Sequence, residues 1–307
     1  MKEIYQKTFL SPISFEGIGL HSGKKSKITI LPGNDVSGIL FKRIDLVNNN
    51  LISANYQNVS STTLSTTLQN KYGVKVSTVE HLLAALFIAG VDSAIIEIDN
   101  EEVPIMDGSA RDFLRVIKKT KTQQLKKKIK YLQILEKIEL KDGNRSIQIS
   151  PNDSFKVDFE LKYENKVIGN QRNLINFQSK NLSEVVESRT FCLYEDIQKI
   201  KKMGLAKGGT LDNAIVVDKD KVINQEGLRN KREFVNHKIL DLAGDFLLSG
   251  YRILGKVYCY QGGHQLSNLF LHKLLKTKNK YQTLELDDTK VRESKNSNIL
   301  LKLAVNA

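Results

Sequence analysis

The order of secondary-structure signals constrains this chain most: in each half, strand-type segments come first and helix-type segments follow. In the first half, KSKITIL (25–31) alternates and ends at Pro32-Gly33, a turn signal. SSTTLSTTLQN is a Thr/Ser-rich stretch suited to a strand pair. STVEHLLAALFIAG reads as a helix, with Ser77 and Glu80 at capping-box spacing and Gly90 as the stop. SAIIEI (93–98) reads as a buried strand, and a second helix is expected at about 110–118. In the second half, YLQILEKIEL, SIQIS and FKVDFELKY read as strands. SRTFCL, a short helix EDIQKIKKMG, the strand NAIVV and a long helix at about 233–249 follow. The strand ILGKVYCY, the turn QGGHQLSN and a short helix complete it.

This order predicts an α+β fold of two units rather than a βαβ repeat. A length of 307 residues suits two domains or one large one. The expected boundaries are 1–120 and 131–276, followed by a charged extension at 277–307. The basic, aromatic-free run KKTKTQQLKKKIK (118–130) reads as the linker. Its rival reading, a nucleic-acid arm, lacks interleaved aromatics.

Composition excludes several classes. Lys+Arg is 47 against 34 Asp+Glu, a formal +13, which favours an anionic partner without naming it. No apolar run reaches the roughly 18–20 residues of a membrane span, and the N-terminus lacks the apolar core of a signal peptide. Two cysteines, Cys192 and Cys259, can make neither a disulfide framework nor a Cys-based zinc site. A cytoplasmic protein is expected.

Only five histidines occur, at 21, 81, 237, 264 and 272, and four sit in conspicuous local contexts. Glu80-His81 opens an otherwise apolar helix, where a charged pair needs a reason; a cap beside a satisfied half-buried His is the plain alternative. His237 and Asp241 are i, i+4 on one helix face, with Asp245 a turn further. Such a pair suits a divalent metal of N/O preference, or is an ordinary surface pair. His264 follows two glycines, a common placement for an acid/base His or a casual loop residue. Together, two His and one carboxylate leave a metal position open, as in catalytic sites. Glu80 is then the expected base and His264 the expected acid, which suggests metal-assisted hydrolysis. HExxH, GxSxG, GxxxxGK[ST] and GxGxxG patterns are absent.

The strings GIGLHSG, STVEHLLAAL, PIMDGSARDF, SRTFC, GLAKGGTLDNAIVV, GLRNKREFVNHKILDLAGD and GGHQLSN stand here in order. From about residue 3 to 275 the chain resembles the UDP-3-O-acyl-N-acetylglucosamine deacetylases, zinc enzymes of lipid A synthesis. The resemblance implies two similar domains, each a sheet packed on helices, with the active site at their interface. It implies zinc, or iron(II), on His81, His237 and Asp241. Glu80 matches the general base and His264 the catalytic His. Asp245 is similar to the carboxylate that orients that His, and Thr190 to an oxyanion-binding hydroxyl. Lys238 resembles a substrate-contacting lysine. A βαβ insert at about 189–217 would form an acyl-chain passage lined by Phe191, Ile197, Gly209, Ala214 and Val216. The implied partner is the UDP-linked acyl sugar, with no nucleic acid, no integral membrane segment and a monomeric state. A metal-dependent amidase of the same fold on another substrate, or a basic binding module, are the rival readings.

This chain departs from the family at Tyr163-Glu164-Asn165, at Gln261 where a Lys is common, and at Thr63 and Ser65. His21, in the GLHSG turn, is read as structural support.

Overall fold

The computed structural model describes residues 3–286. The first half runs β1 (Tyr5–Phe9), β2 (Ile13–Ile18), β3 (Lys25–Pro32), β4 (Ile39–Arg43), β5 (Leu51–Ser53), β6 (Val59–Ser61), β7 (Thr67–Gln69), β8 (Lys75–Val76), α1 (Glu80–Ala89), β9 (Ala94–Ile98), α2 (Arg111–Lys119) and β10 (Thr122–Lys128). The second runs β11 (Tyr131–Ile134), β12 (Ile138–Asp142), β13 (Arg145–Pro151), β14 (Phe155–Lys162), β15 (Asn170–Asn176), α3 (Ser183–Val186), β16 (Phe191–Leu193), α4 (Tyr194–Lys202), β17 (Ile215–Asp218), β18 (Lys221–Val222), α5 (Glu233–Leu247), β19 (Arg252–Tyr260), α6 (His264–Lys276) and β20 (Tyr281–Leu284).

The architecture is α+β, as the element order implied. One sheet of order β2-β3-β9-β4-β5 serves the first half. The second is built around β19, which pairs with β13 on one side and β11 or β14 on the other. In β3 the alternation works as expected: Ile28 and Ile30 are fully buried while Lys25 and Lys27 face solvent. The Thr/Ser stretch does form a pair, β6 with β7, and β8 extends it.

Helix α1 is apolar nearly all round, with Leu82, Leu83, Ala84, Ala85 and Leu86 buried. A helix of that kind needs cover on several sides. It packs on α2 and on α5, so one core runs from Leu82 to Phe234 and Phe246. The closest approach is at Gly244 of α5, where a Cβ would lie 2.1 Å from the Glu80 carbonyl oxygen. Gly244→Ala is therefore expected to push α5 off α1, costing about 1–3 kcal/mol as other overpacked cores do. A thermal melt checks this, and an unchanged midpoint would contradict the packing.

Four sequence expectations are corrected. Glu80 and Ser77 form no capping box: α1 begins without a side-chain cap. Ser77 instead donates to the Glu101 carbonyl, which frees the Glu80 carboxylate to face the site. The 118–130 run is not plain linker, because Thr122–Lys128 pairs antiparallel with β1. The polar stretch before SRTFCL hides β15 and α3. Last, α6 starts on His264 itself and is long. Of the expected extension, Tyr281–Leu284 pairs with β11, and 287–307 lie outside the described residues. No helix among the described residues is long and apolar enough to cross a membrane.

Candidate active site

Three helix starts or faces converge. The first turn of α1 supplies Glu80 and His81, the inner face of α5 supplies His237, Asp241 and Asp245, and the start of α6 supplies His264. All six are buried.

His81 Nε2 and His237 Nε2 lie 3.4 and 3.3 Å from the same Asp241 oxygen, Oδ1. The two imidazoles meet edge to face, ring centres 5.0 Å apart. Although both nitrogens point at Asp241 Oδ1, that buried oxygen has no hydrogen-bond partner among the described residues. One donor atom from each of the three residues fits within 4.8 Å of the others. Two imidazoles and one unpaired carboxylate oxygen, gathered but not bonded to each other, fit a divalent cation of N/O preference. The Ser188 carbonyl lies 3.1 Å from His237 Nδ1, the outer contact that fixes a ligand His and leaves Nε2 facing the site. Burial drives His237 down to about 3, so the ring is neutral and its Nε2 can offer a lone pair to a cation.

His264, Asp245 and Glu80 sit beside this cluster. His264 Nδ1 is 3.0 Å from Asp245 Oδ2, and its Nε2 is 3.6 Å from Glu80 Oε1. Burial and the α6 N-terminus both disfavour a charged imidazole here. Two full carboxylate charges outweigh them, and Asp245 with Glu80 pushes His264 up to about 10. Burial raises Glu80, while the charge on His264 pulls it back.

Thr66 was not anticipated from sequence. Its N–H donates to Glu80 Oε2 at 3.1 Å and its hydroxyl to Asp245 Oδ1 at 2.6 Å. One residue thus aims both carboxylates at His264. Glu102 was missed too: buried, it accepts from His21 N–H, Ser22 N–H and the Thr78 hydroxyl, tying the GLHSG turn to the start of α1. Four non-glycine residues with positive φ flank the region: Leu64, Thr78, Ala206 and Gln261. Such strained backbone collects at functional sites.

Beyond Ser188, the chain runs through Arg189, fully buried, whose Nε donates to Glu233 at the start of α5 at 2.8 Å. Thr190 and Phe191 follow. The stretch β16–α4–β17 is a parallel βαβ unit. A cavity of about 320 Å³ lies under it, and Thr190, Phe191, Ile197, Gly209, Ala214 and Val216 all line it, with Leu20 and His21 opposite. His21 Nε2 is buried without a partner among the described residues. Lys238 donates to Asp241 Oδ2 at 2.8 Å and lies over the Phe191 ring. Gln261 spends its side chain on β14: its amide accepts from Lys162 N–H and donates to the Lys162 carbonyl. The fifth histidine, His272, packs edge-on against Tyr56.

The arrangement can hold a cation, take a proton at Glu80 and give one from His264, next to an apolar slot. A model of the LpxC family, described as UDP-3-O-acyl N-acetylglycosamine deacetylase, matches residues 6–276. The chain is 41% identical to a UDP-3-O-acyl-N-acetylglucosamine deacetylase of Saccharophagus degradans, covering 94% of this chain and 96% of that one. It is 40% identical to the protein of that name from Methylococcus capsulatus, covering 93% and 94%. It is 38% identical to that of Haemophilus ducreyi, covering 93% and 95%.

Proposed function

The chain belongs to the LpxC family of UDP-3-O-acyl N-acetylglycosamine deacetylases, and from that premise we propose that it hydrolyses the N-acetyl group of UDP-3-O-acyl-N-acetylglucosamine in lipid A synthesis, releasing acetate and the free amine. The observation that carries the reading is the juxtaposition of a metal-competent His81/His237/Asp241 cluster with the Glu80–His264–Asp245 array. His81, His237 and Asp241 would hold zinc, or iron(II), which an N/N/O set also accepts; the bound ion supplies Lewis-acid chemistry toward the acetyl carbonyl and water.

Glu80 takes a proton from the attacking water. His264, charged and steadied by Asp245, faces the negative charge that develops on the carbonyl oxygen, and the Thr190 hydroxyl adds a donor. His264 then gives its proton to the departing nitrogen, which leaves as the sugar amine while acetate is released. Lys238 meets the nucleotide side of the substrate. The 3-O-acyl chain enters the slot lined by Phe191, Ile197, Gly209, Ala214 and Val216.

In this reading the two halves are domains that meet at α1 and α5, and the chain acts as a monomer. Both cysteines are free thiols, in keeping with a reducing, cytoplasmic setting.

Acetate release from the acylated nucleotide sugar, compared with UDP-N-acetylglucosamine lacking the acyl chain, tests the assignment. The acylated compound is expected to turn over at least tenfold faster at limiting concentration; equal rates would overturn it. Val216→Phe fills the slot wall and is expected to raise KM for the acylated substrate roughly tenfold or more, with kcat changed far less.

A further inference from the structure

The apolar slot opens onto a surface of unusual make-up. Helix α4 carries no buried residue at all: its Tyr194, Ile197, Ile200 and Lys201 border the slot and its remaining side chains face away from it. Around it stand exposed large apolar side chains from several elements, Tyr194 at 56%, Met203 at 52% and Leu211 at 42% exposed, with Leu64 and Ile18 nearby. Interleaved with these are Lys199, Lys201, Lys202 and Lys207, none within ion-pair distance of a carboxylate among the described residues. Lysines at a helix C-terminus are ordinary, since they complement the dipole. Three or more exposed apolar groups in the same patch are not required by that role.

We propose that this face, the C-terminal end of α4 with the 203–211 loop, docks on the surface of an anionic lipid bilayer. Charge complementarity argues for the anion, because each lysine near an anionic surface adds attraction that summed charges make appreciable. The apolar residues argue for a bilayer over a purely acidic partner, because an interfacial site needs groups that enter the acyl boundary beside basic ones. Continuity with the slot gives the docking a use: an acyl chain can pass between the membrane and the site without crossing open water. That use rests on the reading of the slot; the docking rests on the patch.

The test is flotation of the full-length protein with vesicles of phosphatidylethanolamine and phosphatidylglycerol (3:1), against phosphatidylcholine alone. Binding is expected to the anionic vesicles, to weaken with added salt, and to fall at least tenfold in Lys199→Glu/Lys202→Glu and in Met203→Asp. None of these residues lines the slot, so turnover of a short-chain soluble substrate is expected to stay at the parent level in each. Lys126→Glu/Lys130→Glu, an equal charge change near β10, is expected to bind as the parent does. No flotation, equal loss in this control, or binding untouched by the α4 variants would overturn the proposal. So would a patch that instead drives self-association in sedimentation without any vesicle binding. Flotation that persists when acetate release fails would leave the docking standing and remove the acyl reading.

Discussion

Replacing Glu80 with alanine is expected to lower kcat by about 10²–10⁴-fold, the range general-base catalysis contributes. The carboxylate is buried at the head of α1, 3.6 Å from His264 Nε2, and Thr66 N–H donates to its other oxygen. Burial raises its pKa, so ionising it costs more in the folded protein than in the unfolded chain. Stability from this group is accordingly lost as pH rises past the ordinary carboxylate range. Glu80→Gln keeps the acceptor for Thr66 and removes the buried charge. Its midpoint in a thermal melt near pH 7 is expected to equal or exceed that of the parent, while turnover collapses. A Glu80→Gln enzyme that retains near-parental kcat would remove the base assignment. A lower midpoint together with lost turnover would point to a structural role instead.

Replacing His264 with alanine is expected to be about as damaging, again by orders of magnitude in kcat. Its partner gives a finer reading. Asp245 and Glu80 together hold the imidazole up to about 10 against burial and helix dipole. Because the folded value exceeds the ordinary 6.5, the stabilising contribution is complete below that pH and is lost as pH rises through the folded value. A cation on the neighbouring cluster opposes protonation, so the alkaline limb of kcat/KM in the loaded enzyme is expected below 10. In Asp245→Asn the largest of the supporting carboxylate charges is gone. The alkaline limb is then expected to move to lower pH, by about a unit or more, alongside a fall in kcat. An unmoved alkaline limb in Asp245→Asn would contradict the pairing.

Much of the site was legible because it is written in scarce residues with helical spacing. With five histidines, His81 beside Glu80, His237 four before Asp241, and His264 behind two glycines could be singled out individually. Their convergence could not, because it depends on α1 lying on α5 at Gly244, a contact between residues far apart in the chain. Thr66 escaped because a threonine in a Thr/Ser stretch reads as strand filler, and its two carboxylate partners come from other elements. The capping box misled because Ser-x-x-Glu spacing does not require a cap, and tertiary contacts took both side chains elsewhere, Ser77 to the Glu101 carbonyl and Glu80 to Thr66 N–H. The strand β10 was hidden by lysines: it is an edge ribbon paired only with β1, and solvated edge strands carry little apolar pattern. The α+β class survived these errors, since it rests on the order of elements and not on any one boundary.

The net charge of +13 is placed more narrowly by the fold. Among the lysines and arginines of the described residues, Lys238 alone pairs with the metal-competent cluster, through Asp241. The lysines of α4 gather in its last turn, where Lys201 borders the slot, and those of 118–130 belong to the edge ribbon or its flanks. Much of the net charge thus lies on surfaces that suit an anionic partner, while the candidate site is built from buried groups.

The central claim is that one metal held by His81, His237 and Asp241 serves the hydrolysis of an N-acetyl group. The most direct measurement is metal content and acetate release, taken together, on parent enzyme and His237→Ala with UDP-3-O-acyl-N-acetylglucosamine. The account expects about one equivalent of metal and steady acetate release in the parent, with both lost in the variant. Full acetate release from a metal-free His237→Ala protein would contradict it.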